Sequence, residues 1–334
     1  MTVSGTASGK TYDGSVNATT SLTDNRVGSD DLTITSARSE FEDKNAGLNK
    51  LVSIDGIAVA GADASNYTWN TTATSTADIA KATLSVTATA QNKVYDTTTA
   101  ATTSLSDNRV AGDDLVIDST GSAFADKNAG TGKIVTVRGI TLSGADAMNY
   151  VTESSTTTTA TIGKASLNVT ADAADKVYNG TTSTTATLSD NRLSGDNLVL
   201  SYGSADFTDK NAGASKSVSV SDVSVTGADA MNYTWNTTAT DTASITKANL
   251  AITASGENKV YDGTTDSTVA LADNRVIGDQ LTLVASDTRF ADKNAGASKA
   301  ISVSGLTVTG TDAGNYVWST STCLLYTSPS PRDS

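Results

Sequence analysis

The segment Ala77-Asp-Ile-Ala-Lys-Ala-Thr-Leu-Ser-Val-Thr-Ala88 alternates apolar and polar residues on both sides of a short break. Ala77 and Ile79 are apolar at odd positions, and Leu84, Val86 and Ala88 at even ones. A period of two is the signature of half-buried strands. Val52 with Ile54, and Ile57 with Val59, alternate in the same way. Only Ala80-Lys-Ala-Thr83 separates the two strands of the opening stretch, without Gly or Pro. Flexible linkers are rich in Gly and Ser, so one strand is expected to run nearly straight into the next. The switch of parity predicts that the units on either side are rotated against each other. No segment carries a 3.6-residue apolar stripe, and the expected class is all-β.

The stretch recurs. Tyr12, Tyr95, Tyr178 and Tyr261 are 83 residues apart, and the same spacing holds for the D-N-R triplets at Asn25, Asn108, Asn191 and Asn274. It holds again for D-K-N-A-G, starting at Asp43, Asp126, Asp209 and Asp292, and for N-Y, ending at Tyr67, Tyr150, Tyr233 and Tyr316. Fixed self-similarity marks a tandem array whose unit is large enough to be a small domain. The joints fall after Ala82, Ala165 and Ala248, giving repeats 1–82, 83–165, 166–248 and 249–322. Each is expected to hold six or seven short strands. Apolar parity also shifts around Asp55-Gly56 and around Arg138-Gly139, which predicts a β-bulge there. A tight hairpin is the alternative, less suited to Ser221-Asp222 in the third copy. In G-A-D-A-x-N-Y, Asp63 is expected to cap a single helical turn before Tyr67 enters a strand. The Asp-to-Tyr spacing resembles the tyrosine corner of immunoglobulin-like sandwiches, whose hydroxyl ties back to the preceding loop.

Composition narrows the function. The 334 residues carry 36 acidic and 23 basic side chains, a net charge of -13, no His and one Cys. Such a surface repels phosphate backbones and anionic headgroups, so nucleic acid is not an expected partner. No apolar run approaches the ~20 residues of a membrane-spanning helix, and no membrane insertion is expected. The usual nucleophilic, phosphate-binding and zinc-binding spacings are missing, so neither an enzyme nor a cofactor is expected. Paired carboxylates such as Asp30 with Asp31, or Asp113 with Asp114, lose their second member to Asn197 and Gln280 in later copies. Asp30, Asp43 and Asp63 recur in every copy and could gather around Ca²⁺, but no D-x-D-x-D-G spacing is present. Turn capping, with Lys44 and Arg26 offsetting charge, is the favoured reading. Lys10, Lys44, Asn45 and Asn66 recur too; an isopeptide crosslink would need them buried together, and exposed turn positions are favoured. No glycosylation site is assigned to Asn17, Asn70 or Asn236. Phe41, Phe124, Phe207 and Phe290 are expected in the core. Trp69, Trp235 and Trp318, with Thr152 in the remaining copy, are read as half-buried strand residues rather than a ligand-binding row.

Lys259-Val-Tyr-Asp-Gly-Thr-Thr265, followed by F-x-D-K-N-A-G and G-x-D-A-x-N-Y, closely resembles the YDG repeat modules of filamentous-haemagglutinin-like bacterial surface proteins. The likeness covers all four units through Trp318. Two copies depart from the name motif, Tyr95-Asp-Thr97 and Tyr178-Asn-Gly180, which points to a turn rather than a reactive position. The expected fold is four tandem β-sandwich-like modules, immunoglobulin-like or β-grasp-like, in an elongated array. The resemblance implies secretion to the cell surface and a role as a stalk or in adhesion. Neighbouring repeats are the expected partners, and a host glycan or surface protein is the partner of the competing, direct-binding reading.

Two features concern the ends. Met1 stands where the other copies have Leu84, Leu167 and Leu250, so the first repeat is read as truncated within a strand. Cys323-Leu-Leu-Tyr-Thr-Ser-Pro-Ser-Pro-Arg-Asp333 breaks the repeat and resembles a translated sequencing adapter; residues 323–334 are set apart, and Cys323 says nothing about redox compartment. The fourth repeat is therefore expected to lack its last strand and to be the least stable unit.

Overall fold

The computed structural model describes residues 1–325, of which 322–325 are described by backbone alone. Among the described residues the chain is all-β, with short strands, four single 3-10 turns and no α-helix. It divides into two compact units, Met1–Ala165 and Ser166 onward, each containing two of the 83-residue repeats.

The first module shows why these residues form these strands. Its elements are β1 (Val3–Ser8), β2 (Lys10–Thr11), β3 (Thr19–Asp24), β4 (Thr33–Thr35), β5 (Arg38–Phe41), β6 (Gly47–Asp55), β7 (Ala58–Ala60) and β8 (Thr72–Ala80). One sheet has the order β2-β8-β6-β5, with β2 parallel to β8 and the other pairs antiparallel. The antiparallel pairs β1-β3 and β4-β7 complete a sandwich-like module. Val52 and Ile54 of β6 and Ile79 of β8 are almost wholly buried, and Val3, Phe41 and Ile57 close over them. Phe124 and Phe207 are buried like Phe41, whereas Phe290 is half-buried. Short Thr-rich strands suit this plan, because their β-branched chains pack on a pleated face while the hydroxyls meet water on the other. The second and third modules repeat the order of the four-stranded sheet.

The first module has eight strands rather than six or seven. Each arm of its central hairpin breaks once, opposite Gly56, and the two-residue β2 is a separate element. The predicted bulge is not at that break. Arg38 faces Asp55 and Ser39 faces Ile54 on one side, while Thr35 faces Ala58 and Ile34 faces Val59 on the other. Two residues thus lie between the paired blocks on both arms, and none is extra. The parity change instead comes from a left-handed residue, Gly56 at φ 65°, which turns the strand so that Ile54 and Ile57 both reach the core. Asp222 takes this conformation in the third copy at φ 55°. A true bulge lies earlier in β6: Gly47 faces Ile79 but Lys50 faces Ala77, so one extra residue sits in β6.

The expected cap is also corrected. The 3-10 turn Ala64–Asn66 forms, with Asp63 at its N-cap position, but the Asp63 side chain makes no capping hydrogen bond. Its Oδ2 accepts the amide of Asp31 at 3.0 Å, tying two loops together. The next three copies repeat this, with the amides of Asp114, Asn197 and Gln280 donating to Asp146, Asp229 and Asp312. Only the backbone of the donor residue is used, which is why its side chain drifts from Asp to Asn to Gln.

The fourth module keeps more of its last strand than expected. Ser321–Leu325 pairs with the strand Ala300–Thr309, so Cys323 and Leu324 lie opposite Ser302 and Ile301. Backbone pairing does not depend on side-chain identity, so residues 323–325 continue the ladder although they break the repeat. By the repeat offset, the counterparts of the buried Ala243 and Ile245 are residues 326 and 328, which lie outside the described residues, as do Pro329 and Pro331. In the third module Ile245 faces Lys176 in a parallel bridge, whereas Lys259 and Val260 form no strand and Val260 is 90% exposed. Ser267 Oγ is buried without a partner. Replacing residues 323–334 with a copy of Thr240–Lys247 is expected to stabilise this module by about 2–3 kcal/mol, the value of burying one Ile and one Ala side chain. Hydrogen exchange resolved by module would read it; equal protection before and after repair would refute the expectation.

Candidate functional site

The chemistry-bearing residues gather at the joint between modules, and the structure contains that joint once in each compact unit. In the first unit, the turn after β2 presents Tyr12, and the D-K-N-A-G loop between β5 and β6 presents Lys44. Both face the second module. Tyr12 Oη donates to the Asp113 carboxylate at 2.9 Å, and Lys44 Nζ lies 3.0 Å from Asp113 and 2.9 Å from Asp146. Tyr150 donates to the same Asp113 at 2.6 Å and accepts the Val110 amide at 2.9 Å. The two tyrosine rings meet edge to face at 5.4 Å. Beside them Asn149, fully buried, accepts the Ala46 amide at 2.8 Å and donates to Asn45 at 3.2 Å.

The second unit repeats the constellation. Tyr178 and Tyr316 donate to Asp279, Lys210 lies 2.9 Å from Asp279 and 3.1 Å from Asp312, and Asn315 holds Ala212 and Asn211. Asp113 and Asp279 are among the few buried charged residues. Such a carboxylate is tolerable only because every approach to it carries a donor. The apolar core of the first unit is continuous through the joint, with Leu84, Leu115 and Tyr150 in one cluster with Val52 and Ile54.

The tyrosine-corner expectation holds for the N-Y tyrosine in changed form. Its hydroxyl ties back within its own module, but to a loop 37–40 residues upstream rather than the adjacent one: Tyr67 to Asp30 and Val27, Tyr233 to Asp196 and Leu193. The Y-D-G tyrosines Tyr12 and Tyr178 serve the other purpose and cross to the next module.

Each candidate residue now has a place. Asp30 and Asp63 do come together, since their second-copy counterparts Asp113 and Asp146 share one cation, but that cation is the Lys44 ammonium. Asp43 stands apart, accepting the Asn45 amide and Lys50 at 2.7 Å each. Among the described residues no group of three acidic, His or Cys side chains is placed to hold a metal. Arg26 pairs with Asp24 and donates to the Leu32 carbonyl. Lys10 turns into its own Y-D-G loop, onto Asp13 and Ser15. Hydrogen bonds to Asp146, Asp113 and Tyr12 raise the pKa of Lys44 and hold it as a cation. Asn70 and Asn236 use their carboxamides to clamp Val3 and Val169, so these two sequon side chains are structural. Trp69 is half-buried and donates to the Ile57 carbonyl at 3.1 Å.

The Y-D-G motif itself is a turn. Asp13, Asp96 and Asp262 accept the amide two residues on, as does Asn179, and the third position is left-handed in all four copies. Gly14, Gly180 and Gly263 occupy that position at φ 77–84°, but Thr97 does so at φ 69°. A β-branched residue is strained there. Thr97→Gly is expected to stabilise the second module by about 1 kcal/mol, read as a higher midpoint in denaturant; an unchanged or lower midpoint would count against it.

The joint has a pH window. Burial alone would push the Asp113 carboxyl up, but hydrogen bonds from Tyr150, Lys44 and Tyr12 outweigh it and hold the group below its ordinary value; Asp279 is held down in the same way. Burial and the hydrogen bond to Asp113 push Tyr150 up to about 12, and Tyr316 rises to about 12 likewise. The stabilisation from a depressed carboxyl is present above its unfolded value and lost as pH falls through the folded one. That from a raised phenol is present below its unfolded value and lost as pH rises through the folded one. Joint stability is therefore expected to be flat from about pH 4 to about pH 10 and to fall on both sides. Melting across pH tests this, and Asp113→Asn with Asp279→Asn should flatten the acid limb.

Sequence reading missed the joint because its partners are 101 residues apart. One signal was available: Tyr12, Lys44, Asp30, Asp63 and Asn66 are unvaried in all four copies, while Asp31 beside them drifts. No protein among the curated ones compared matches the chain. The YDG domain model matches four times, over residues 1–76, 80–160, 163–242 and 246–323, which is nearly the whole sequence. Four matched copies, each supplying the tyrosine-bearing turn that names the motif, show that the chain belongs to the YDG domain family.

Proposed function

We propose that this chain is a non-enzymatic structural segment, a stalk or adhesive stretch, of a large bacterial protein secreted to the cell surface, and that its function is reach. The observation that carries the reading is the buried joint, Tyr12 and Lys44 on Asp113 and their equivalents on Asp279, made once within each compact unit. A joint with a buried, fully hydrogen-bonded carboxylate resists bending, because any opening strips donors from a charge that water must then reach. Stiffness between modules serves a spacer, which must hold something else at a distance. The acidic surface and the polar, Thr-rich strand faces keep such an array soluble and disfavour edge-to-edge association.

The test has two arms. Small-angle scattering should give a maximum dimension of roughly 120–150 Å, from ~30–40 Å per module. The isolated chain should also bind nothing on glycan and matrix-protein arrays. A compact scattering profile would remove the stalk. Saturable binding to a glycan or host protein would favour the direct binder.

A further inference from the structure

The Y-D-G turn of the third module lacks a contact that the other three make. In those copies the turn's aspartate is ion-paired with the lysine three residues before it, Lys10 with Asp13 at 2.9 Å, Lys93 with Asp96 at 2.7 Å and Lys259 with Asp262 at 2.9 Å. Asn179 has no charge to offer Lys176. The Lys176 ammonium turns instead to the Thr181 and Ser183 carbonyls, at 2.9 and 2.8 Å, and to the Thr181 hydroxyl at 3.0 Å. Burial pushes it down, against the pull of Asp206.

Asn179 also precedes Gly180, and no other asparagine of the chain stands before a glycine. With no side chain on Gly180, its backbone nitrogen is unhindered beside the Asn179 carboxamide. Asn179 and Thr181 are both exposed to water. The Asn179 Oδ1 accepts the Thr181 amide at 3.2 Å and the Thr181 hydroxyl at 2.9 Å, and that hydroxyl accepts from Lys176. Donors held at this oxygen stabilise the negative charge that develops on it when the carboxamide carbon is attacked.

We propose that Asn179 is a self-modifying site, converted in the folded protein to aspartate, which completes the lysine–aspartate pair present in the other three copies. The Gly180 nitrogen bonds to Asn179 Cγ and gives up its proton, and the carboxamide nitrogen leaves as ammonia, closing a cyclic imide. Solvent water then adds to the Cγ carbonyl, the new Cγ–N bond breaks, and the proton returns to the Gly180 nitrogen. Water is consumed and ammonia released, with no oxidation or reduction. Opening at the other carbonyl would give isoaspartate and an extra main-chain carbon. The packed turn disfavours that product, since even a Cβ at Gly180 would lie 2.7 Å from Val276 Cγ1. The Lys176 cation favours a carboxylate at the side-chain position.

Incubation of the full chain at mildly alkaline pH, followed by peptide mapping over time, tests this. The peptide holding residue 179 should convert to a species that co-elutes with the same peptide from Asn179→Asp, while the remaining asparagines stay amides. Thr181→Val keeps the shape of an exposed side chain and removes its hydroxyl. It should slow the conversion roughly fivefold, the rate equivalent of about 1 kcal/mol of hydrogen bonding. Chain held in denaturant is the control, and isoaspartate should predominate there. A carboxamide that persists at 179, the same product ratio in folded and denatured chain, or a rate that Thr181→Val leaves unchanged would overturn the proposal.

Discussion

Alanine at Gly144 is expected to cost about 3–5 kcal/mol, more than most single substitutions on a surface loop. Gly144 sits at φ 110°, in a region L-residues rarely enter, and its Cβ would lie 2.4 Å from the Asp114 carbonyl oxygen. The obstacle is backbone, and it is pinned: the Asp114 amide donates to Asp146, and the Asp146 amide donates back to the Asp114 carbonyl. Neither side can yield without breaking the tie that positions Asp146 for Lys44. Gly61, Gly227 and Gly310 stand in the same place in their modules, with a carbonyl oxygen 2.1–2.4 Å from the added carbon. Gly28→Ala is the control. It also has a left-handed φ, 56°, but nothing lies within 4 Å of its Cβ, so only backbone strain of about 1 kcal/mol is expected. Calorimetry of the two variants should separate clash from strain. Similar losses at both positions would show that the carbonyl contact carries no weight.

Asp113→Ala is expected to cost about 3–5 kcal/mol and to loosen the joint rather than either module alone. The Asp113 side chain is 3% exposed and accepts from Tyr12, Tyr150 and Lys44. Its removal leaves two buried hydroxyl donors without their acceptor and Lys44 with Asp146 alone, and unpaired buried donors cost more than the lost bonds themselves. Tyr12→Phe removes one donor and leaves the carboxylate two, so it should cost about 1 kcal/mol. Hydrogen exchange should show the Asp113→Ala loss in the loops on both sides of the joint, around Lys44 and around Tyr150. Exchange confined to the Asp113 loop would mean that the cluster does not couple the modules.

The all-β class, most of the strands and the turns were legible in the sequence because they rest on information a few residues long, and the period because the copies repeat without an insertion. Alternation at Val52-Ile54 and Leu84-Val86 is enough to place strands, and Y-D-G with D-K-N-A-G is enough to place turns. Whatever depends on which loops meet was not legible, because those partners are far apart along the chain. Asp63 read as a helical cap because it precedes a turn, yet its carboxylate has a better donor 32 residues upstream in the Asp31 amide. The parity change at Asp55-Gly56 read as a bulge because counting along one strand cannot show whether its partner also gains a residue. Asp30 and Lys44 read as solvated turn residues that balance charge locally. Lys44 instead spans the joint to the second-copy counterparts of Asp30 and Asp63, because packing one module on the next closes the gap between loops that no local pattern connects.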